Sequence, residues 1–222
     1  MPKRQHNREV EIKLRVTDVQ ALRVRLKKLE AREIIPRTYE YNTLYDTPSR
    51  ALARRGQIIR IRIEQPCPRG ARNRTERSGS AVLTFKGSAQ SLRASRSTAG
   101  RPDKGERFKI REEVEVIVSR GEQMALILRA LGFSPVFRYE KFRTTYVLPG
   151  IGGLKVEFDE LPIGFFLELE GSATAIDRAA RLLEYSKSEY VTASYGELYI
   201  ENCRRHGRKP SNMLFQPTKK LR

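Results

Sequence analysis

Apolar and charged residues alternate along Arg8-Glu9-Val10-Glu11-Ile12-Lys13-Leu14-Arg15-Val16. Successive side chains of a strand point to opposite faces, so Val10, Ile12, Leu14 and Val16 share one face, and Glu9, Glu11, Lys13 and Arg15 the other. One such segment is an ordinary half-buried strand with its charges in water. The pattern then recurs. Ile59, Ile61 and Ile63 oppose Arg60, Arg62 and Glu64 over residues 57–64, and Leu83 and Phe85 oppose Thr84 and Lys86 over 81–87. Ile110, Val114 and Val116 oppose Arg111, Glu113 and Glu115 over 109–117, with Glu112 out of step, where a bulge or local twist is expected. Phe142 and Tyr146 oppose Lys141, Arg143 and Thr145 over 138–147. Residues 39–46, 154–159 and 165–170 complete a set of eight predicted strands.

Between the strands, apolar residues at helical spacing predict helices. Leu22, Leu26 and Leu29 follow a capping box at Thr17 and Gln20. A short helix over 50–55 is expected behind Ser49, and another over 120–131 ends at Gly132. Two more are expected at 173–185 and 195–205. Each apolar helix stripe needs a sheet face to cover. That requirement favours a closed, mainly antiparallel barrel of α+β class, with helices packed on an apolar outer face and a charged lumen. Dry, unpaired charges in such a lumen would be very costly, but a hydrated lumen with interleaved signs is feasible.

At 222 residues, with 39% apolar and 32% charged residues, the chain suits one domain over 1–205 and a basic tail over 206–222. Two cysteines, Cys67 and Cys203, give no disulfide framework and no zinc spacing. No apolar run reaches membrane-spanning length and no secretory leader is visible, so a cytoplasmic protein without a membrane partner is expected. The net charge of +18 invites a nucleic-acid reading. Its distribution argues against one, since residues 1–8, 66–79, 88–107 and 204–222 carry nearly all of it, at +3, +3, +3 and +7. The loops 65–79 and 88–107 and the tail are therefore expected to be solvated appendages, with weak polyanion affinity at most.

A lumen lined by Lys and Arg together with Asp and Glu suits a polyanion carried with divalent cations. Basic groups meet phosphate oxygens, and carboxylates hold a hard metal. Here the sequence resembles the CYTH superfamily, the triphosphate tunnel metalloenzymes. Glu9-Val10-Glu11-Ile12-Lys13 matches the E-x-E-x-K signature, and the support continues through Arg60-Ile61-Arg62, Leu83-Thr84-Phe85-Lys86-Gly87, Arg111-Glu112-Glu113-Val114-Glu115, Lys141-Phe142-Arg143, Phe158-Asp159 and Phe166-Leu167-Glu168-Leu169-Glu170.

The resemblance implies that Glu9, Glu11, Glu168 and Glu170 hold Mg2+ or Mn2+, with Asp159, Glu113 and Glu115 as further candidates. It implies a triphosphate clamp of Lys13, Arg60, Arg62, Lys86, Arg111, Lys141 and Arg143. Glu9, Glu11, Lys13, Lys86 and Lys141 are the residues expected to bear most directly on catalysis. Arg15, Glu64 and Glu157 share these faces but fall near strand ends, where a solvated structural role is as good a reading. No Ser, Cys or His nucleophile is implied, and His6 and His206 fall near the ends of the chain. The expected reaction is metal-assisted water attack on a triphosphate compound, with inorganic tripolyphosphate first. Thiamine triphosphate hydrolysis and class IV adenylate cyclase chemistry, ATP to cAMP and pyrophosphate, are the alternatives. A polyphosphate-binding module is the non-enzymatic one. A cyclase must also hold adenine, for which Phe85 or Phe137 could stack.

Overall fold

A computed structural model describes residues 8–67, 81–92 and 108–216. The elements are β1 (Arg8–Val16), α1 (Val19–Lys28), β2 (Arg32–Asp46), α2 (Ala51–Arg54), β3 (Ile58–Pro66), β4 (Ala81–Lys86), β5 (Gln90–Leu92) and β6 (Phe108–Val118). They continue with α3 (Gly121–Ala130), β7 (Ser134–Val147), β8 (Lys155–Leu161), β9 (Gly164–Glu170), α4 (Ala173–Leu182) and α5 (Tyr195–Arg205). The sheet runs β1-β9-β8-β7-β2-β3-β4-β6 and closes through antiparallel pairing of β6 with β1. Short β5 pairs with β6 beyond the end of β4, so the barrel has eight staves. It occupies the start of the predicted loop 88–107. The rest of that loop, and most of 65–79, lies outside the described residues.

The apolar faces turn outward, as the helix argument requires. Ile12, Leu14, Val156, Leu167 and Leu169 pack under Leu22 and Leu26 of α1 and Ile176, Ala179 and Ala180 of α4. Burying each such aliphatic side chain is worth ~1.5–3 kcal/mol. On the other side Leu128 of α3 packs on Tyr45, Ile61 and Ala81. The cover stops short of β6, where Val114 and Val116 stay exposed. No helix among the described residues is long and apolar enough to cross a membrane.

Several local expectations are corrected. The cap of α1 is Asp18, not Thr17; its carboxylate accepts from the N–H groups of Gln20 and Ala21. The cap of α2 comes from Asp46, whose carboxylate accepts from Leu52 and Ala53 N–H, rather than from Ser49. β2 begins at Arg32 instead of 39, because register shifts around Pro36 break the alternation without ending the pairing. At Glu112 no bulge occurs; pairing runs in step from Arg8↔Glu112 to Lys86↔Glu113, and Glu112 sits on the exposed outer face. The tail is not all appendage. Met213 is buried and pairs with β7, its N–H donating to Arg138 O at 2.9 Å and its carbonyl accepting from Glu140 N at 3.0 Å. Together with Tyr195 and Leu198 of α5, Met213 packs on the inward-facing Tyr139 and Phe166 and fills one end of the barrel.

Candidate active site

Pairing registers carry one continuous inward layer around the barrel: Glu9↔Arg111, Lys13↔Glu168, Glu157↔Glu168, Arg143↔Asp159, Glu40↔Lys141, Asn42↔Arg62, Arg60↔Thr84 and Lys86↔Glu113. All of these side chains except Asp159, Glu40, Asn42 and Thr84 line a cavity of about 750 Å³. Every predicted clamp residue lines it: Lys13, Arg60, Arg62, Lys86, Arg111, Lys141 and Arg143. So do the predicted metal candidates Glu9, Glu11, Glu113, Glu115, Glu168 and Glu170. Asp159 is the exception. It is fully buried behind the wall, where its carboxylate accepts from Arg143 at 2.7 and 2.6 Å, from Lys141 at 3.2 Å and from the Tyr195 hydroxyl at 2.7 Å. From there it holds the Arg143 and Lys141 side chains in place.

The remaining carboxylates divide by what they touch. Glu9 and Glu113 share a hydrogen bond and Lys86, whose Nζ lies 2.7 and 3.2 Å from them. Glu11 and Glu168 share a hydrogen bond and Lys13, at 2.9 and 3.1 Å. Arg143 also reaches Glu168, at 2.5 Å. Glu115 is held by Thr84 at 2.8 Å and by Arg60 and Arg62, while Glu170 pairs with Lys155 at the exposed rim.

In each carboxylate pair the two groups are pushed in opposite directions. Burial pushes Glu113 up to about 8, with the Glu9 charge helping and Lys86 opposing, while Glu9 itself is lowered because Lys86 outweighs its burial. Burial also raises Glu11, whereas Lys13 and Arg143 overcome burial to hold Glu168 well below its ordinary range. Two carboxylates sharing one proton can exchange it for a divalent cation, and all-oxygen donors suit Mg2+ or Mn2+. Among the described residues no three such groups converge as a preformed cage. The cationic side fits an anion equally well. Arg111 has no ion pair with a described carboxylate, and the Nε atoms of Arg60 and Arg111 are buried without a hydrogen-bond partner.

Strand alternation places further ionic residues on the inner face. Lys109 shares the face of Arg111 and lies 3.0 Å from Glu11. Glu157, read as a strand-end group, is inside the lumen and bound to Arg143. Glu40 is buried 3.4 Å from Lys141; the two cations Lys141 and Arg143 overcome burial and hold it down to about 2. Tyr195 comes from a helix, where strand alternation gives no signal. Arg15 stays outside the cavity, over the Phe166 ring, and Glu64 pairs with Arg62. Of the two aromatics considered for stacking, Phe137 lines the cavity; Phe85 does not, because it alternates outward from Thr84 and Lys86. His206 is exposed beyond α5, and His6 lies outside the described residues.

These protonation states make stability depend on pH. Burial also raises Glu157 to about 7, with Glu168 adding to it and Arg143 opposing. In the unfolded chain Glu113 and Glu157 titrate near ~4.3. Between about pH 5 and 8 the folded protein therefore holds more protons than the unfolded one, and stability falls as pH rises through that window. With only two histidines in the chain, little else titrates there. The melting temperature in chelator should drop from pH 5 to 8, and Glu113→Gln should flatten the slope. An equal slope in that variant would exclude Glu113 as its source.

A closed antiparallel barrel with a lumen of interleaved cations and carboxylate pairs defines a triphosphate tunnel architecture. The chain belongs to the CYTH domain family, whose model matches residues 7–195. It is 27% identical over 201 residues to a candidate adenylate cyclase of Methanocaldococcus jannaschii, covering 86% of this chain and 97% of that protein. A solved Pyrococcus horikoshii protein superposes with a TM-score of 0.64 at 22% identity, covering 87% of this chain and 99% of that one. A candidate adenylate cyclase of Vibrio parahaemolyticus gives 0.62 at 21%, covering 86% and 96%. A Hippeastrum protein, a candidate adenylyl cyclase that reveals a dominant triphosphatase activity, gives 0.53 at 19%, covering 91% and 97%.

Proposed function

We propose that the protein is a divalent-cation-dependent phosphohydrolase of triphosphate compounds, with inorganic tripolyphosphate as the first substrate to test. The observation that carries this reading is the coexistence, in one cavity, of two proton-sharing carboxylate pairs and arginines with unpartnered Nε atoms. Lys13, Lys86 and Lys141 act as point charges on the phosphate oxygens, and Arg60, Arg111 and Arg143 as planar forks. Fixed in a partly dry lumen, they stabilise charge developing on the transferred phosphoryl group without reorganising. Asp159 and Tyr195 lock Arg143 and Lys141 in place. Mg2+ or Mn2+, held by Glu9 with Glu113 and by Glu11 with Glu168, would supply charge neutralisation and lower the pKa of the attacking water.

The similarity to the Methanocaldococcus jannaschii protein favours a second reading, in which the same clamp turns the ribose 3′-hydroxyl of ATP onto the α-phosphorus. Incubation with tripolyphosphate, ATP and thiamine triphosphate in Mg2+ or Mn2+ separates the two. Orthophosphate release, abolished by EDTA, is expected. Production of cAMP with pyrophosphate would establish the cyclase, and tight binding without turnover would leave a polyanion-binding module.

A further inference from the structure

Two ammonium groups share one oxygen inside the lumen. Glu11 and Lys109 face each other across β1 and β6, and Lys109 Nζ lies 3.0 Å from Glu11 Oε1. The same oxygen takes Lys13 Nζ at 2.9 Å. A carboxylate oxygen offers two lone pairs, so these two ammoniums fill Oε1. The two lysines are not held alike. Lys13 also meets Glu168 at 3.1 Å, stands 5.1 Å over the Tyr195 ring and is 3% exposed. Among the described residues, Glu11 is the only ion-pair partner of Lys109. Lys109 is buried yet lines the cavity, two positions along β6 from Arg111, whose Nε is buried without a hydrogen-bond partner.

The other carboxylate pair is built differently. Glu9 and Glu113 share the one ammonium of Lys86, and Arg60 comes only to 4.0 Å from Glu113. A divalent cation arriving there meets that ammonium. At Glu11 and Glu168 it meets Lys13, Lys109 and the Arg143 guanidinium. Repulsion between like charges a few ångströms apart is large in a partly dry lumen. Entry at Glu11 therefore requires an ammonium to leave Oε1. Lys109 can leave without abandoning a second carboxylate, and Lys13 cannot.

We propose that Lys109 is a movable counter-ion. It neutralises Glu11 in the metal-free enzyme, yields Oε1 to the divalent cation, and turns beside Arg111 to a phosphate oxygen of the substrate. The proposal rests on the triphosphate reading above and adds to it a coupling between cation and substrate. Each ligand favours the same displacement of Lys109, so each should bind more tightly in the presence of the other.

The test compares wild type, Lys109→Met and Lys109→Arg by calorimetric titration with Mn2+ alone and by the KM for tripolyphosphate at saturating Mg2+. The Mn2+ site that Glu11→Gln removes should bind about ten-fold or more tightly in Lys109→Met, since a unit charge beside the cation is gone. The KM should instead rise about ten-fold, the size of one lost hydrogen bond to a charged group. Lys109→Arg keeps the charge and should stay close to wild type in both. A lysine that only supports the wall would move both affinities downward or neither, so the opposed directions are the signature. If Lys109→Met fails to fold, Lys109→Gln carries the same test. If Mn2+ binds but no triphosphate is turned over, the enzymatic reading fails, and calorimetric tripolyphosphate affinity replaces KM in judging Lys109. Weaker or unchanged Mn2+ binding in the folded variant, with wild-type binding present, overturns the proposal alone. Absence of Mn2+ binding in both proteins overturns the proposal together with the metal reading.

Discussion

Glu168→Gln is expected to lower Mg2+-dependent triphosphate turnover by about two to three orders of magnitude, the usual scale when a preorganised charge at a reacting centre is lost. Glu168 stands where the two halves of the site meet. It shares a hydrogen bond with Glu11, lies 3.1 Å from Lys13, and is 2.5 Å from Arg143. Neutralising it removes one member of a carboxylate pair and leaves two buried cations with less compensation, so Mg2+ affinity should fall together with kcat.

Asp159→Asn is the discriminating control. Its charge holds Lys141 and Arg143 from behind the wall, and Asn cannot accept both arms of the Arg143 fork. That variant should raise the KM for tripolyphosphate while leaving calorimetric Mg2+ or Mn2+ affinity close to wild type. Equal loss of metal affinity in Asp159→Asn and Glu168→Gln would restore Asp159 to the ligand set and overturn its assignment as a positioning residue.

The lumen was legible because period-two alternation survives any strand tilt. Once the helices claimed the apolar faces, Glu9, Glu11, Lys13, Arg60, Lys86 and Glu113 had to converge. The same parity puts Lys109 and Glu157 on the inner face, although Glu157 falls near a strand end, where parity alone does not separate lumen from solvent. Depth was not legible. Asp159 lies on the inward face, yet the Arg143 fork and the Tyr195 ring close over it, a tertiary arrangement that alternation cannot encode. Tyr195, Gly196 and Met213 reach the barrel end from a helix and from a segment with no periodicity at all. A run of basic residues around Met213 masked a buried side chain, because net charge reports on solvation of a segment and not on one residue within it.

Deleting residues 208–222 should destabilise the protein strongly and slow turnover, whereas deleting 217–222 alone should do neither. The longer deletion removes Met213, which is 1% exposed, and truncating a buried methionine costs about 2–5 kcal/mol. It also removes two backbone hydrogen bonds to β7, the Phe215 N–H donated to Glu140 at 2.8 Å, and the Phe215 ring 5.2 Å from Phe142. For a chain of this length each kcal/mol shifts the melting temperature by roughly 2–4 °C, so a fall on the order of 10 °C is expected. Turnover follows because Met213 packs with Tyr139 and Tyr195, and Tyr195 holds the Asp159 carboxylate that positions Arg143. The shorter deletion takes away only Lys219, Lys220 and Arg222 among the charged residues, which alters net charge and leaves Met213 and Phe215 in place. Differential scanning calorimetry and tripolyphosphate kinetics on both truncations decide the matter. A 208–222 deletion with wild-type melting and kinetics would mean that the segment rests on the barrel without contributing to it.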